Sequence, residues 1–158
     1  MTTPRGRAAH RSPIPDHCFT QIQQRVGVAD TDLMGIVHHS NYVRYFENGR
    51  LEYMRRRGLP YKLMVDRGMH MPVVELGIRY RRPASFDDLL CITTRIGALS
   101  RVTVRFDYDV SRIEPAADPR DKLLEGHVLL ACVDGRNRPR ALPDDFVEGL
   151  FAPEAAHS

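Results

Sequence analysis

The chain has 158 residues, of which 42% are hydrophobic and 27% are charged, a composition typical of a globular domain. Its formal net charge is +3, and no apolar run approaches the ~20 residues of a membrane-spanning helix, so the sequence favours neither membrane insertion nor nucleic-acid binding. The cysteines Cys18, Cys91 and Cys132 include no CxxC pair, which favours a cytoplasmic protein without a zinc or redox site.

The chain is interpreted as one domain with two tails. Residues 1–17 are basic and contain prolines but no hydrophobic stretch, so we expect a flexible N-terminal tail and not a secretory signal. Residues 18–152 carry the periodic apolar patterns and form the predicted domain, and residues 153–158 form a short C-terminal tail. No internal repeat or shift of composition divides the domain.

The first elements along the chain are a strand and a long helix. Ile22, Gln24, Val26 and Val28 alternate along one strand face, and a polar connection follows. From about Ser40 the apolar residues recur at helical spacing, which predicts a helix of about four turns with Gly58 and Pro60 as its stop signal. The apolar stripe of this helix contains Tyr42, Tyr45, Phe46, Gly49, Tyr53 and Met54.

The rest of the chain is predicted to be mostly sheet. A short helix over Tyr61 to Arg67 ends at Gly68, and the later alternating patterns predict four strands and a short terminal helix from Pro143. The predicted strands cover residues 74–80, 90–96, 102–110 and 124–132. One helix and one antiparallel sheet must bury their apolar faces on each other, so the predicted class is α+β with Gly49 allowing close approach.

The segment before the long helix carries the chemistry-bearing residues. Asp30 and Asp32 come before the helix, and His38, His39 and Asn41 lie at its beginning. A helix N-terminus presents unpaired N–H groups that can stabilise an oxyanion, while a nearby carboxylate can attack a carbonyl or activate water. This combination indicates hydrolysis of an ester or a thioester.

Two other interpretations stay open from the residue types. Asp30 and Asp32 could simply cap turns, because aspartate readily accepts hydrogen bonds from nearby backbone N–H groups. The two aspartates and two histidines could also bind a divalent metal, although His38 and His39 are adjacent and no HExxH spacing exists.

Three segments resemble one known family. The run DTDLMGIVHHSNYVRYFE, Asp30 to Glu47, is similar to the signature of the 4-hydroxybenzoyl-CoA thioesterase-like hotdog family. It looks most like the branch of bacterial acyl-CoA thioesterases associated with the Tol–Pal system. Residues 73–90 and 127–143 resemble further strands of that branch, so the likeness covers roughly residues 20–150 in order.

The resemblance implies a hotdog fold, in which an antiparallel sheet wraps around a long helix. It implies dimers, or dimers of dimers forming a homotetramer, with active sites at the subunit interface. Asp32 matches the catalytic carboxylate, acting as nucleophile or general base, and His39 matches the position whose backbone N–H is the oxyanion donor. The implied reaction is hydrolysis of acyl-CoA without a metal or a bound cofactor, coenzyme A being part of the substrate.

Further residues are candidates for substrate contact. The loop residues expected at the substrate are Gly35, Ile36, Val37 and Asn41, and Asn41 is also expected to fix the helix start. Arginines cluster at residues 55–57, 79–82 and 136–140, and those expected near CoA phosphates are Arg101, Arg136 and Arg138. Val28 stands where the branch often carries a tyrosine, which puts rate and acyl preference in question.

Two alternative functions remain beside acyl-CoA hydrolysis. The first is hydrolysis of acyl groups on an acyl carrier protein, whose acidic surface would suit the basic patches. The second is a non-catalytic CoA-binding or scaffold protein of the same fold, against which the presence of Asp32 argues.

Overall fold

The structure is a computed structural model that describes residues 14–15, 18–115, 118 and 121–155. Most of the predicted N-terminal tail and the last three residues of the C-terminal one lie outside these ranges. A five-stranded antiparallel sheet has the order β1-β3-β4-β5-β2. Its strands are β1 (Phe19–Arg25), β2 (Val73–Tyr80), β3 (Leu89–Leu99), β4 (Thr103–Glu114) and β5 (Lys122–Ala131). The helices are α1 (Asn41–Arg55), α2 (Tyr61–Asp66) and α3 (Asp144–Leu150).

Helix α1 is seated directly on the sheet, as the position of Gly49 predicted. A Cβ atom added at Gly49 would lie 2.5 Å from Thr94 Oγ1 and 3.2 Å from Ile92 Cγ2, both on β3. The Phe46 ring stacks on Tyr108 of β4 with 4.2 Å between centroids. The close approach at Gly49 and the stacked rings show that α1 packs directly on the sheet, so the predicted α+β arrangement is confirmed.

The helix boundaries agree with the predicted stop signals. Gly58 and Gly68 have positive φ angles of 73° and 74°, a conformation that glycine adopts without steric cost. Helix α2 begins at Tyr61, as predicted, and ends at Asp66. None of the helices in the described part of the chain combines the length and apolar character needed to cross a membrane.

One strand prediction differs from the structure, and another is confirmed with exposed side chains. Strand β1 ends at Arg25, and Val28 lies in a single 3-10 turn, Val28–Asp30, where its side chain is 70% exposed. The turn begins because Asp30 folds back to accept a hydrogen bond from the backbone N–H of Gly27, 3.0 Å away. The predicted strand over residues 74–80 is confirmed as β2, which forms an edge of the sheet in the single chain, and its residues Val74, Leu76 and Tyr80 are exposed.

Candidate active site

A small hairpin lies between the 3-10 turn and α1. Thr31 and Val37 pair across it, and the backbone N–H of Asp32 donates to the carbonyl of Ile36 at 2.9 Å. Gly35 has a φ of 78° and closes the turn by donating to the Asp32 carbonyl at 3.0 Å. This geometry places the Asp32 side chain on the hairpin and leaves Leu33 and Met34 exposed at its tip.

The Asp32 carboxylate faces a cavity. Its Oδ1 atom accepts one hydrogen bond from the backbone N–H of Met34 at 2.7 Å, and its Oδ2 atom has no protein donor among the described residues. The side chain is half-buried in the wall of an open cavity of about 360 Å³. The lining residues are Asp32, Ile36, Val37, His39, Tyr42, Tyr80, Arg81, Arg82 and Pro83. Asp32 therefore keeps one oxygen available to a bound molecule.

Asp30 has the opposite environment and lies in the protein interior. Its Oδ2 atom accepts hydrogen bonds from the Tyr45 hydroxyl at 2.9 Å and from Gly27 N–H, and its Oδ1 atom pairs with Arg44. Burial, together with the bond to Asp30, raises the pKa of Tyr45 far above its ordinary value, so Tyr45 remains a donor. The capping interpretation of the two aspartates thus describes Asp30 well, while Asp32 combines a turn contact with a cavity position.

The beginning of α1 adjoins the same cavity. The His38 ring is bound to Ser40, with Nδ1 2.8 Å from Oγ and 3.3 Å from the Ser40 N–H, so it serves the helix start. The exposed His39 ring lies beside the His38 ring, with 4.2 Å between centroids and an angle of 32° between the ring planes. The backbone N–H of His39 finds no acceptor among the described residues. An unpaired backbone N–H at this helix end can donate a hydrogen bond to a developing negative charge and so stabilise it.

The connection from β2 to β3 forms the opposite wall. Ala84 accepts a hydrogen bond from the Val37 N–H at 2.8 Å, which holds this connection against the hairpin. The Tyr80 hydroxyl donates to the carbonyl of His39 at 3.2 Å. Arg81 and Arg82 lie at the cavity and are anchored to Glu125 at 2.8 Å and to Asp121 at 3.0 Å, respectively.

The structure brings four of the predicted site residues to one cavity and places the others elsewhere. The four are Asp32, Ile36, Val37 and His39. Gly35 shapes the turn, and the Asn41 amide group donates to the carbonyl of Asp30 at 2.8 Å, in agreement with its expected role at the helix start.

The three arginines predicted to contact CoA lie away from the Asp32 cavity of the single chain. Arg101 lines a different cavity, beside Leu99 and Leu142. Arg136 and Arg138 belong to a turn in which their backbone N–H groups donate to Asp134 Oδ1. Their contact with CoA stays a prediction.

Several cavity residues had no predicted site role. These are Tyr80, Arg81, Arg82 and Pro83, at the end of β2 and just after it. The arginine cluster at residues 79–82 was the available signal, but the sequence does not show that this connection meets the hairpin, as the pairing of Ile36 with Ser85 does. In the described part of the chain, no three His, Cys, Asp or Glu side chains converge in the manner of a metal site.

Comparison with known proteins identifies the family. The Thioesterase superfamily matches residues 34–117. The chain is 32% identical over 124 residues to the acyl-CoA thioester hydrolase YbgC of Escherichia coli, a match that covers 78% of this chain and 89% of the relative. It is 30% identical over 132 residues to the 4-hydroxybenzoyl-CoA thioesterase of Pseudomonas sp. strain CBS-3, covering 80% and 94%.

Solved structures agree with the sequence matches. A crystal structure of a mutant 4-hydroxybenzoyl-CoA thioesterase, in complex with 4-hydroxybenzoyl-CoA, aligns with a TM-score of 0.76 at 28% identity. That alignment covers 84% of this chain and 98% of the other. The hypothetical protein TT1821 from Thermus thermophilus aligns with a TM-score of 0.75 at 36% identity over 84% and 95% of the two chains.

The chain therefore belongs to the thioesterase superfamily, and its fold is the hotdog fold. The family and the fold predicted from the segments beginning at Asp30 are confirmed. Thioester hydrolysis, the predicted reaction class, is also the reaction for which the relatives from Escherichia coli and Pseudomonas are named.

Proposed function

We propose that this protein hydrolyses acyl-CoA thioesters to a free acid and coenzyme A, with Asp32 as the catalytic carboxylate. The observation that carries the proposal is the position of Asp32, whose free carboxylate oxygen shares a cavity with His39 at the beginning of α1. The names of the relatives from Escherichia coli and Pseudomonas support CoA as the carrier of the acyl group.

In the proposed mechanism the thioester carbonyl lies between Asp32 and the beginning of α1. The His39 backbone N–H and the helix dipole stabilise the oxyanion that forms when the carbonyl carbon is attacked. If Asp32 is the nucleophile, its oxygen bonds to that carbon, CoA leaves as the thiolate, and water then hydrolyses the acyl–aspartyl anhydride. If Asp32 is the general base, it takes a proton from the water that attacks the carbonyl carbon, and CoA leaves as the thiolate when the tetrahedral intermediate collapses.

The two routes can place the solvent oxygen differently. Multiple turnovers in ¹⁸O-water, followed by mass spectrometry of the peptide that contains Asp32, test for nucleophilic attack with water adding to the aspartyl carbon of the anhydride. Asp32 acquires ¹⁸O in that route, whereas it stays unlabelled as a general base or when water attacks the acyl carbon. Neither route requires a metal or a bound cofactor, so dialysis against EDTA is expected to leave the rate unchanged.

We also propose that the working unit is a homodimer joined through β2. This strand pairs with β5 on one side only, and its apolar residues Val73, Val74 and Leu76 are 51%, 57% and 43% exposed. An unpaired apolar edge strand is a natural site for pairing with a second copy. Because Tyr80 and Arg81 at the end of this strand line the Asp32 cavity, pairing there would place the active site beside the partner subunit.

Two such dimers are proposed to associate into a homotetramer through the outer face of the sheet. That face carries ion pairs, including Arg105 with Asp107 at 2.7 Å and Lys122 with Asp109 at 2.6 Å. Sedimentation is expected to give twice or four times the chain mass of 18.0 kDa. The variant Leu76→Lys is expected to reduce that mass and the activity together, while a monomer in the wild type would contradict the proposal.

The reaction is proposed to take place in the cytoplasm. The cysteines Cys18, Cys91 and Cys132 are all free, as expected in a reducing compartment.

The experiment that tests the function is hydrolysis of a panel of thioesters by the purified full-length protein. Short aliphatic, long aliphatic and aromatic acyl-CoAs are supplied, and the release of free thiol is followed. Turnover of at least one acyl-CoA is expected, at a higher kcat/KM than the same acyl group on acyl carrier protein. A higher kcat/KM with the carrier protein would mean that acyl carrier protein, and not CoA, carries the substrate. Binding of CoA without turnover would mean that the protein is a non-catalytic CoA-binding protein.

A further inference from the structure

We infer that Asp30 is a positioning residue for the reaction, because it fixes the placement of the Asp32 carboxylate relative to the His39 amide. The inference rests on the proposed function and adds a second aspartate to it with a different task. Asp30 is 8% exposed and does not line the Asp32 cavity, so it acts only through the residues that it holds.

The side chain of Asp30 ties the beginning of the hairpin to α1. Its two carboxylate oxygens together contact three donors: the Gly27 N–H before the turn, and Arg44 and Tyr45 on α1. Tyr45 is fully buried, and its hydroxyl lies 2.9 Å from Oδ2. Charge-assisted hydrogen bonds of this kind are stronger than those between neutral groups. The start of the hairpin is therefore fixed to the first turns of the helix.

The backbone of Asp30 ties the end of the hairpin to the same point. Its carbonyl oxygen accepts from the His38 N–H at 2.9 Å and from the Asn41 side-chain amide at 2.8 Å. His38 directly precedes His39, and Asp32 lies two residues after Asp30. The Asp32 carboxylate and the His39 amide, which would act on the substrate, therefore each belong to a residue at most two positions away in sequence from a hydrogen bond made by Asp30.

If Asp30 only stabilised the fold, its replacement would lower stability without changing kcat. A buried polar residue at the other end of α1 serves as the control for that case. Thr20 is 1% exposed and takes part in a buried polar cluster, accepting from Arg57 at 2.7 Å and donating to Glu154 at 2.5 Å. None of these residues lines the Asp32 cavity. Thr20→Val therefore removes comparable buried hydrogen bonds without touching the proposed site.

The test compares Asp30→Asn with Thr20→Val. The asparagine oxygen can still accept from Tyr45 and Gly27, whereas its NH₂ group meets the Arg44 guanidinium, donor against donor, so the hairpin is displaced. A misplacement near 1 Å can cost about 10²-fold in rate, so kcat for the best acyl-CoA is expected to fall ~10–100-fold with KM nearly unchanged. Thr20→Val is expected to lower the melting temperature and to leave kcat as it was.

A compensating substitution adds a readout that lost stability cannot mimic. In Asp30→Asn/Arg44→Gln, the glutamine oxygen can accept from the asparagine NH₂ group, so kcat is expected to recover at least about threefold over Asp30→Asn alone. Should Asp30→Asn fail to fold, Tyr45→Phe removes a single bond and is expected to lower kcat about three- to tenfold with KM unchanged.

Three outcomes would overturn the inference: kcat unchanged in folded Asp30→Asn, a change confined to KM, or an equal loss of kcat in Thr20→Val. Failure of the proposed function looks different, because the wild type itself would then hydrolyse no acyl-CoA.

Hydrogen exchange measures the opening of the hairpin independently of catalytic activity. Asp30→Asn is expected to accelerate exchange at the Asp32 and His38 amides, and Thr20→Val is not.

Discussion

The two ends of α1 use polar residues in opposite ways. At the C-terminal end, the buried Arg57 guanidinium donates to Thr20 Oγ1 at 2.7 Å and to the Tyr53 carbonyl at 3.0 Å, and it lies 3.6 Å from the centroid of the Tyr53 ring. At the N-terminal end, the Asp32 carboxylate and the His39 amide face an open cavity. One end is closed by protein contacts, and the other leaves groups available to a substrate.

This difference separates stability from chemistry along a single helix. At the closed end both terminal NH₂ groups of Arg57 already donate to protein oxygens, and its buried Nε has no partner among the described residues, so a ligand would have to break existing hydrogen bonds to bind there. A partly paired group beside a cavity costs some stability and can bind or activate a ligand. Substitutions at the closed end should therefore change unfolding and spare kcat, while those at the open end should do the reverse.

The largest effect on stability is expected at the closed end. Arg57→Met removes a donor from Thr20 Oγ1 and from the carbonyls of Phe19 and Tyr53, so the free energy of unfolding is expected to fall by about 2–4 kcal/mol with kcat unchanged. Urea unfolding measures the change. The matched control is Arg55→Met, whose side chain is 61% exposed, and which is expected to cost under about 0.5 kcal/mol.

The middle of the helix is expected to respond next. Gly49→Ala places a Cβ 2.5 Å from Thr94 Oγ1, so helix and sheet must separate, and unfolding is expected to become easier by about 1–3 kcal/mol despite the better helix propensity of alanine. Thermal unfolding checks the result. Gly135→Ala, whose added Cβ has nothing within 4 Å, serves as control, and equal stability of both variants would show that α1 is not so closely seated.

At the open end, His39→Ala is expected to lower kcat about tenfold, or ~1.4 kcal/mol, because the imidazole is lost while the backbone N–H remains. The His39 ring is exposed, so the melting temperature should hardly move. Steady-state kinetics on the best acyl-CoA provides the measurement. Complete inactivation of the folded variant would mean that the imidazole itself does the essential chemistry.

The smallest effect is expected at the rim, and it depends on pH. Hydrogen bonds from Lys122 and then Arg81 lower the pKa of Glu125 from its ordinary 4.5 to about 2. A carboxyl group with a lowered pKa stabilises the fold above its unfolded-state pKa, and this stabilisation disappears as pH falls from about 4.5 towards 2. Melting temperatures over that range should fall less in Glu125→Gln than in the wild type, and parallel curves would contradict the assignment.

Local patterns predicted most of the helix and little of the cavity wall. Gly58 and Pro60 act through their own backbone, so the sequence shows their roles directly, and Gly49 was predicted from its place in the apolar stripe of α1. Asp32 was predicted from its place before α1 and from the family resemblance. Arg81 and Tyr80 reach the cavity only because the β2–β3 connection pairs with the hairpin at Ile36 and Ser85, a contact between distant segments that no local pattern shows.

The same distinction explains one wrong strand end and the exposed side chains of one correctly predicted strand. Val28 continues the alternation of β1, but the hydrogen bond from Gly27 to Asp30 turns the chain first. The apolar residues of β2 follow the period of a strand correctly, yet alternation cannot say whether the partner that covers them is the same chain or another copy.

Replacement of Asp32 by asparagine tests the account most directly. The substitution keeps the side-chain oxygen that can accept from Met34 N–H and removes the negative charge beside the cavity. We predict that kcat for the best acyl-CoA falls by about 10³-fold or more while the melting temperature stays within a few degrees. A folded Asp32→Asn variant that retains more than about a tenth of wild-type kcat would contradict the assignment of Asp32 as the catalytic carboxylate.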